Sequence, residues 1–260
     1  MAAAHASARD PRIRAFLSPK TFRGTVVVEG VWAHRCLLDL DADIETFVFC
    51  PALLSGPGHK FAGAAARHAR TVLEVSAKTY ARISNRTQPS GLASLVRLPA
   101  WRAGDGSIAG HPIHDGTRVL VADGIEYATN LGALIRVVDA SGAQALLLTN
   151  RQARLEHPDV FTASRGTLLT TPVIDFGEPA AAAAWLAGEG FSVHLALPRA
   201  SGDFRDLPRA SGPTAIVVGS EGRGVSEQWR STPHQAVSIP MRGRADSLNV
   251  AVAAGVLLFT

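Results

Sequence analysis

At 260 residues, 47% of them hydrophobic, the chain can bury one large core or two smaller ones, which excludes a disordered polypeptide. A formal net charge of +4 permits a polyanionic partner without requiring one. The two cysteines, Cys36 and Cys50, lie far from any His or acidic cluster at ligand spacing, which excludes a disulfide framework and gives no expectation of a metal.

Residues 1–23 carry Arg9, Arg12, Arg14, Lys20 and Arg23 with two prolines and are expected to form a basic, flexible arm. From Gly24 the pattern alternates: strand near 25–28, helix near 30–40, strand "IETFVFC", helix near 59–70, strand "TVLEV", helix near 76–85 and strand "GLASLVRL". Strands alternating with helices predict a small α/β domain over 24–98. The stretch 99–116, "PAWRAGDGSIAGHPIHDG", is rich in Gly, Pro and Asp without clear periodicity and is expected to be a linker.

A second alternating series fills 117–260. It runs from strand "RVLVAD" and a helix from about Asn130 through strand "ALLLTN", a helix near 157–165, strand "PVIDF", helix "PAAAAAWLAGEG" and strand "FSVHLAL". Strand "TAIVVG", a helix from about Gly224, strand "AVSIP" and a final helix complete it. The series predicts an α/β domain with a mainly parallel sheet covered by helices on both faces. The hexapeptide "LPRASG" at 197–202 and 207–212 reads as loop, not as repeat architecture. The longest apolar run, "AVAAGVLLF", is about half of what a bilayer span needs, so the expectation is a soluble, cytoplasmic protein with no membrane partner.

In such sheets ligands collect where strands run into helices, and three of these junctions hold more polar chemistry than a turn requires. In "DGIEYATNLGALIR", Asp123 ends a strand, Asn130 can cap the helix, and Arg136, seven residues after Thr129, returns to the face of the helix's first turn. In "IVVGSEGRGVSEQW", Gly219 and Gly224 have the spacing of a phosphate-binding loop, but Val225 stands where Lys is required. A dinucleotide fingerprint fails at Glu227, and a hydrolase elbow around Ser220 fails at Val218. What remains is a glycine-rich loop that holds Glu221 and Arg223. In "SIPMRGRADSLNV", Ser247 is expected to cap the last helix, with Asn249 in its first turn.

These three stretches, "NLGALIR" at 130–136, "VVGSEGRGVS" at 217–226 and "SIPMRGRADSLNVAVAAG" at 238–255, together resemble the SpoU/TrmH family of RNA ribose methyltransferases in the SPOUT superfamily. The segment "ASRGTLLTTPV" at 163–173 is also similar, while "EYATN" departs from the Asp-Pro-x-Asn of many relatives. The resemblance implies a C-terminal SPOUT domain with a deep trefoil knot, a small α/β RNA-binding domain before it, S-adenosylmethionine as cofactor, and a homodimer whose active site combines both protomers. By that resemblance Arg136, Asn130, Glu221, Ser247 and Asn249 are the catalytic candidates. Gly219, Ser220, Gly222, Ile239, Met241, Ser247 and Leu248 would bind the cofactor, and Arg165, Arg223, Arg82 and Arg86 would contact RNA.

The implied reaction is methyl transfer to a ribose 2′-hydroxyl of structured RNA, ribosomal RNA first and transfer RNA second, with an idle RNA-binding protein of the same fold as the alternative class. A guanidinium stays protonated in essentially all protein settings, so Arg136 is expected to orient the nucleotide and stabilise developing negative charge, not to act as a base. Glu221 is the candidate for holding Arg136 or for accepting the proton.

Overall fold

Apolar strand runs and amphipathic helices assort into two units, one drawn from residues 1–100 with 155–162, the other from 101–154 with 163–260. The structure, a computed structural model, describes residues 3–17, 23–84, 86–207 and 212–260.

In the first unit, β1 (Ala4–His5), α1 (Arg14–Leu17), β2 (Thr25–Glu29), α2 (Val31–Asp39), β3 (Ile44–Phe49), α3 (Gly56–His68), β4 (Thr71–Glu74), α4 (Ala77–Ile83) and β5 (Leu92–Arg97) follow in order. The sheet is mixed, ordered β1-β4-β3-β5-β2, with β1, β4 and β3 parallel and β5 antiparallel to both neighbours. Strand β2 forms because the β-branched run Val26–Val28 suits a pleated, buried position, and all three side chains are buried.

The N-terminal segment differs from the expected arm. Ala4 and His5 pair with Leu73 and Glu74, and Ile13, Ala15 and Phe16 are buried in the core with Leu73, Tyr80 and Leu95. Three apolar residues at helical spacing decide this against the surrounding charge. Residues 18–22, with Lys20, lie outside the described residues.

Next in the chain come β6 (Ala103–Gly104), β7 (Ser107–Ile108), β8 (His111–Pro112), β9 (Arg118–Asp123), α5 (Ala128–Ser141), β10 (Ala145–Thr149) and α6 (Pro158–Ala163), all but α6 in the second unit. Then come β11 (Val173–Gly177), α7 (Pro179–Gly188), β12 (Ser192–Ala196), β13 (Gly202–Asp203), β14 (Thr214–Gly219), α8 (Glu227–Arg230), β15 (Gln235–Ser238) and α9 (Val250–Leu258).

Most of α6 groups with the first unit, because Phe161 is buried and its ring lies 5.8 Å from that of Trp32. The stretch expected as linker forms the small antiparallel sheet β6-β7-β8. It is fastened to the second unit by buried Ile108 and by Glu189, whose carboxylate accepts from the Gly106 N–H at 2.9 and 3.0 Å. The second copy of "LPRASG" falls largely on residues 208–211, outside the described residues.

The seven-stranded sheet is parallel throughout, ordered β11-β10-β9-β14-β12-β15-β13. On one face Val119, Val121, Leu147, Ala215 and Val217 pack with Leu186 and Trp229. The alternate residues point the other way, where α5 lies against β10, α9 against β14, and the two helices against each other. Because the strands are parallel, their C-terminal ends share one edge: Asp123 is in register with Gly219, and Ala196 with Val237.

Candidate functional site

Helix α5 begins at Ala128 with Tyr127 as its cap residue, so Asn130 sits inside the first turn instead of capping it. Its amide is thereby free to project across the sheet edge.

The glycine-rich loop after β14 doubles back on itself. The Gly224 N–H donates to the Ser220 carbonyl at 2.8 Å, and a Cβ on Gly219 would collide with the backbone of Gly224 and Val225. Gly224 has φ +67°, a left-handed conformation that favours glycine. Asp123, 1% exposed, anchors the loop's far end: Oδ2 accepts the Ser226 N–H at 2.8 Å, while Oδ1 accepts from the Thr149 hydroxyl at 3.0 Å and from Asn150 Nδ2 at 2.9 Å. Thr149 in turn accepts from the Trp229 indole at 3.1 Å. A buried carboxylate is stable only when such donors saturate it.

At α9 the cap differs from the expectation. Asn249, not Ser247, is the cap: its Oδ1 accepts from the Ala251 N–H at 3.0 Å, whereas the Ser247 hydroxyl donates to Asp246 at 3.2 Å. Capping fixes the Asn249 amide with its Nδ2 turned away from the helix. That nitrogen donates to Glu221 Oε1 at 2.6 Å and to Asn130 Oδ1 at 3.1 Å, and Asn130 Nδ2 donates to the same Glu221 oxygen at 3.1 Å. One residue from each of the three loops thus closes a hydrogen-bonded triangle.

Glu221, one corner of the triangle, lines two cavities. The larger, about 410 Å³, is lined by Gly219, Ser220, Glu221 and Arg223 from the glycine-rich loop, by Ile239 and Met241 beyond β15, and by Ser247 and Leu248 before α9. The smaller, about 300 Å³, shares Ser220, Glu221 and Val250 and adds Tyr127, Asn130 and Gly222. Gly222 is therefore placed on the smaller cavity, not on the one with Ile239 and Met241.

Arg136 lies two turns along α5, exposed, lining neither cavity and making no hydrogen bond or ion pair with a described residue. Arg165 is exposed in a turn with φ +56°, outside both cavities. In the first unit, Arg82 is exposed on α4, and Arg86 is engaged by Glu29, donating to its carbonyl at 2.9 Å and lying 3.9 Å from its carboxylate. The larger cavity also takes in Arg199, Arg230 and Asp246, which the sequence reading missed. They come from separate loops, and no spacing in the chain links them. Among the described residues no group of three or more His, Cys, Asp or Glu could hold a metal, and no helix is long and apolar enough to cross a membrane.

Comparison with known proteins follows the same residues. A protein of Staphylococcus haemolyticus assigned to the TrmH family of tRNA/rRNA methyltransferases is 32% identical over 170 residues, 65% of this chain and 68% of that one. The 23S rRNA (guanosine-2′-O-)-methyltransferase RlmB of Ralstonia nicotianae is 38% identical over 143 residues, 54% of this chain and 56% of its own length. Among solved structures, an RNA 2′-O ribose methyltransferase aligns with a TM-score of 0.76 at 28% identity, covering 99% of this chain and 97% of that one. The fold is shared also by the SpoU methyltransferase AviRb of Streptomyces viridochromogenes in complex with AdoMet, with a TM-score of 0.81 at 24% identity over 96% of each chain. The sequence profile of the SpoU rRNA Methylase family matches residues 117–259, which contain the sheet, all three loops and both cavities. With more than half of its length matched, the chain belongs to the SpoU rRNA methylase family.

Proposed function

We propose that this chain is an S-adenosylmethionine-dependent RNA methyltransferase that modifies a ribose 2′-hydroxyl, with ribosomal RNA as its substrate class. The observation that carries the reading is the triangle of Asn130, Glu221 and Asn249, whose Glu221 lines both of two adjoining cavities. The names of the RNA 2′-O ribose and 23S rRNA relatives support the reaction and the substrate class.

The larger cavity fits the cofactor. Its volume lies in the range of small-molecule sites, with Ile239, Met241 and Leu248 as apolar walls and Ser220, Asp246 and Ser247 as polar anchors. The absence of a side chain at Gly219 lets the loop fold back onto Gly224 and Val225 at the cavity wall, since a Cβ there would collide with their backbone. When bound, S-adenosylmethionine supplies an electrophilic methyl group and leaves as a neutral thioether.

The chain's own residues then align a poorly acidic hydroxyl with that methyl group. Glu221 Oε1 is occupied by two amide donors, and Oε2 accepts no hydrogen bond from a described residue, so it is the oxygen that takes the ribose proton as the new O–C bond forms. Asn130 and Asn249 hold the carboxylate in place. Arg136, protonated throughout, orients the nucleotide and stabilises negative charge developing on the ribose oxygen.

Since Arg136 lines neither cavity of its own chain, it serves the site of a second copy in a homodimer. Apolar Val252 and Phe259, 53% and 63% exposed on and just beyond α9, support that face as the contact. The order in which β15 lies between β12 and β13 while β14 lies between β9 and β12 is compatible with a threaded, trefoil-knotted C-terminus. Arg82 in the first unit, and Arg165 and Arg223 in the second, are the candidates for RNA contact.

The test is transfer of labelled methyl from S-adenosylmethionine to separate pools of unmodified ribosomal RNA, transfer RNA and matched DNA. Label is expected in ribosomal RNA, in a ribose that resists alkaline cleavage. Glu221→Gln and Arg136→Ala should each lower turnover on the order of a hundredfold or more, with S-adenosylhomocysteine affinity by calorimetry changed only a few-fold. Label in transfer RNA alone reassigns the substrate, and cofactor binding without any transfer favours the idle RNA-binding reading.

A further inference from the structure

We propose that Tyr127 is the platform on which the base of the target nucleotide stacks while its ribose is presented at the Asn130–Glu221–Asn249 triangle. The inference rests on the RNA-methyltransferase reading and adds that the nucleotide is taken in unpaired, with its base in the smaller cavity.

Four observations carry it. Tyr127 is the exposed aromatic that shares a cavity with Asn130 and Glu221: 60% of its surface is open, while Phe259, the other exposed aromatic of the parallel-sheet unit, lines a separate cavity with Arg118 and Ile216. Its ring has no aromatic neighbour and its hydroxyl no hydrogen-bond partner among the described residues. Its backbone, by contrast, is fixed. Tyr127 sits at φ −98°, ψ 130° as the cap residue of α5, and its carbonyl accepts the Leu131 N–H at 3.0 Å, so the ring is carried on a rigid helix start and not on a loose loop. The cavity that it lines is about 300 Å³, at the lower end for a small-molecule site, and shares Ser220, Glu221 and Val250 with the larger cavity.

Chemistry selects the occupant. The lining combines Glu221 and Asn130, whose polar atoms serve a ribose, with the apolar surface of Tyr127 and Ile125. A nucleotide has this polarity: a hydroxylated sugar at one end and a flat π-face at the other. RNA-binding proteins read unpaired nucleotides by splaying the base onto an aromatic side chain, whereas a base held in an A-form duplex cannot reach such a ring. Stacking tolerates any base, so Tyr127 would set how tightly the nucleotide is held and not which base it is.

The experiment uses the full-length protein with unmodified ribosomal RNA transcript and labelled S-adenosylmethionine, comparing wild type with Tyr127→Ala, Tyr127→Phe and Tyr127→Trp. Tyr127→Ala is expected to lower kcat/KM for RNA on the order of tenfold to a hundredfold, with S-adenosylhomocysteine affinity unchanged. Tyr127→Phe should recover most of the loss, because the ring and not the hydroxyl is used, and the fluorescence added in Tyr127→Trp should be quenched by the transcript. Wild-type activity with Tyr127→Ala unaffected, or with Phe no better than Ala, overturns the proposal. So does a fall in sedimenting mass in Tyr127→Ala alone, which would mean that the ring packs on a second copy of the chain. A wild-type protein inactive on every RNA pool instead removes the reading on which the inference rests.

Discussion

His34 shows how a single side chain is committed by its surroundings. It is fully buried; Nδ1–H donates to the Gly30 carbonyl at 2.8 Å, which leaves Nε2 to accept from the Ser94 hydroxyl at 2.9 Å. Both bonds suit the neutral ring, and burial pushes its pKa down to about 4, against the smaller upward pull of the Gly30 carbonyl. In the unfolded chain the ring protonates near pH 6.5, so between about pH 6.5 and 4 the unfolded state binds a proton that the folded state refuses. Stability is complete above pH 6.5 and falls as the pH drops toward 4, by roughly 3 kcal/mol if His34 acts alone. Replacing His34 with Gln should flatten this decline in urea midpoints measured across that window, and an unchanged slope would assign the acid sensitivity elsewhere. At the site, Glu221 Oε1 accepts from two amide donors, and Gln could replace it there only with its carbonyl oxygen turned toward them.

Helix α9 is held at both ends by residues far away in sequence. Its N-terminus is capped by Asn249, and its last turn is satisfied by Arg118, whose Nη1 donates to the Leu258 carbonyl at 2.7 Å while Nη2 donates to Ser141 at the end of α5 at 3.3 Å. The helix residues between are nearly all apolar and buried on the α5 side, so the caps set where the helix starts and packing sets its face. Asn249→Ala should therefore cost about 1 kcal/mol of stability through the lost cap, and lower turnover further because Glu221 loses a donor. Ser247→Ala should leave the thermal midpoint within about 1 °C, since a surface change away from such features is usually within about 0.5 kcal/mol. Thermal unfolding of the two variants separates a capping role from a merely adjacent one.

For the whole molecule, the consequence of the proposed dimer is a division of labour between copies. Arg136→Ala and Glu221→Gln, each inactive alone, should restore activity when mixed and allowed to exchange subunits. Such a mixed dimer contains one site with an intact Glu221 from one copy and an intact Arg136 from the other. If Arg136 served its own chain, no site would be intact and mixing would recover nothing. Val252→Glu, placed on the exposed apolar face of α9, should reduce the sedimenting mass and abolish turnover together.

Much of the architecture was legible locally. Near-continuous apolar runs such as Val119–Ala122 and Ala145–Leu148 announce strands buried on both faces, and the parallel sheet follows from the helices between them. The three polar loops were legible because each departs from turn chemistry within a dozen residues. The sequence did not reveal that the N-terminal charges surround an anchored Ile13 and Phe16, that 101–113 packs as part of the second unit, or that Asn249 and not Ser247 caps α9. Those outcomes depend on burial against distant residues and on backbone angles set by packing. The sequence by itself determined the strand-and-helix order and supplied Asn130, Glu221 and Asn249. Only the tertiary structure decided that they meet, because a hydrogen bond of about 3 Å between residues 91 to 119 positions apart exists only once a parallel sheet brings their strand ends to a common edge.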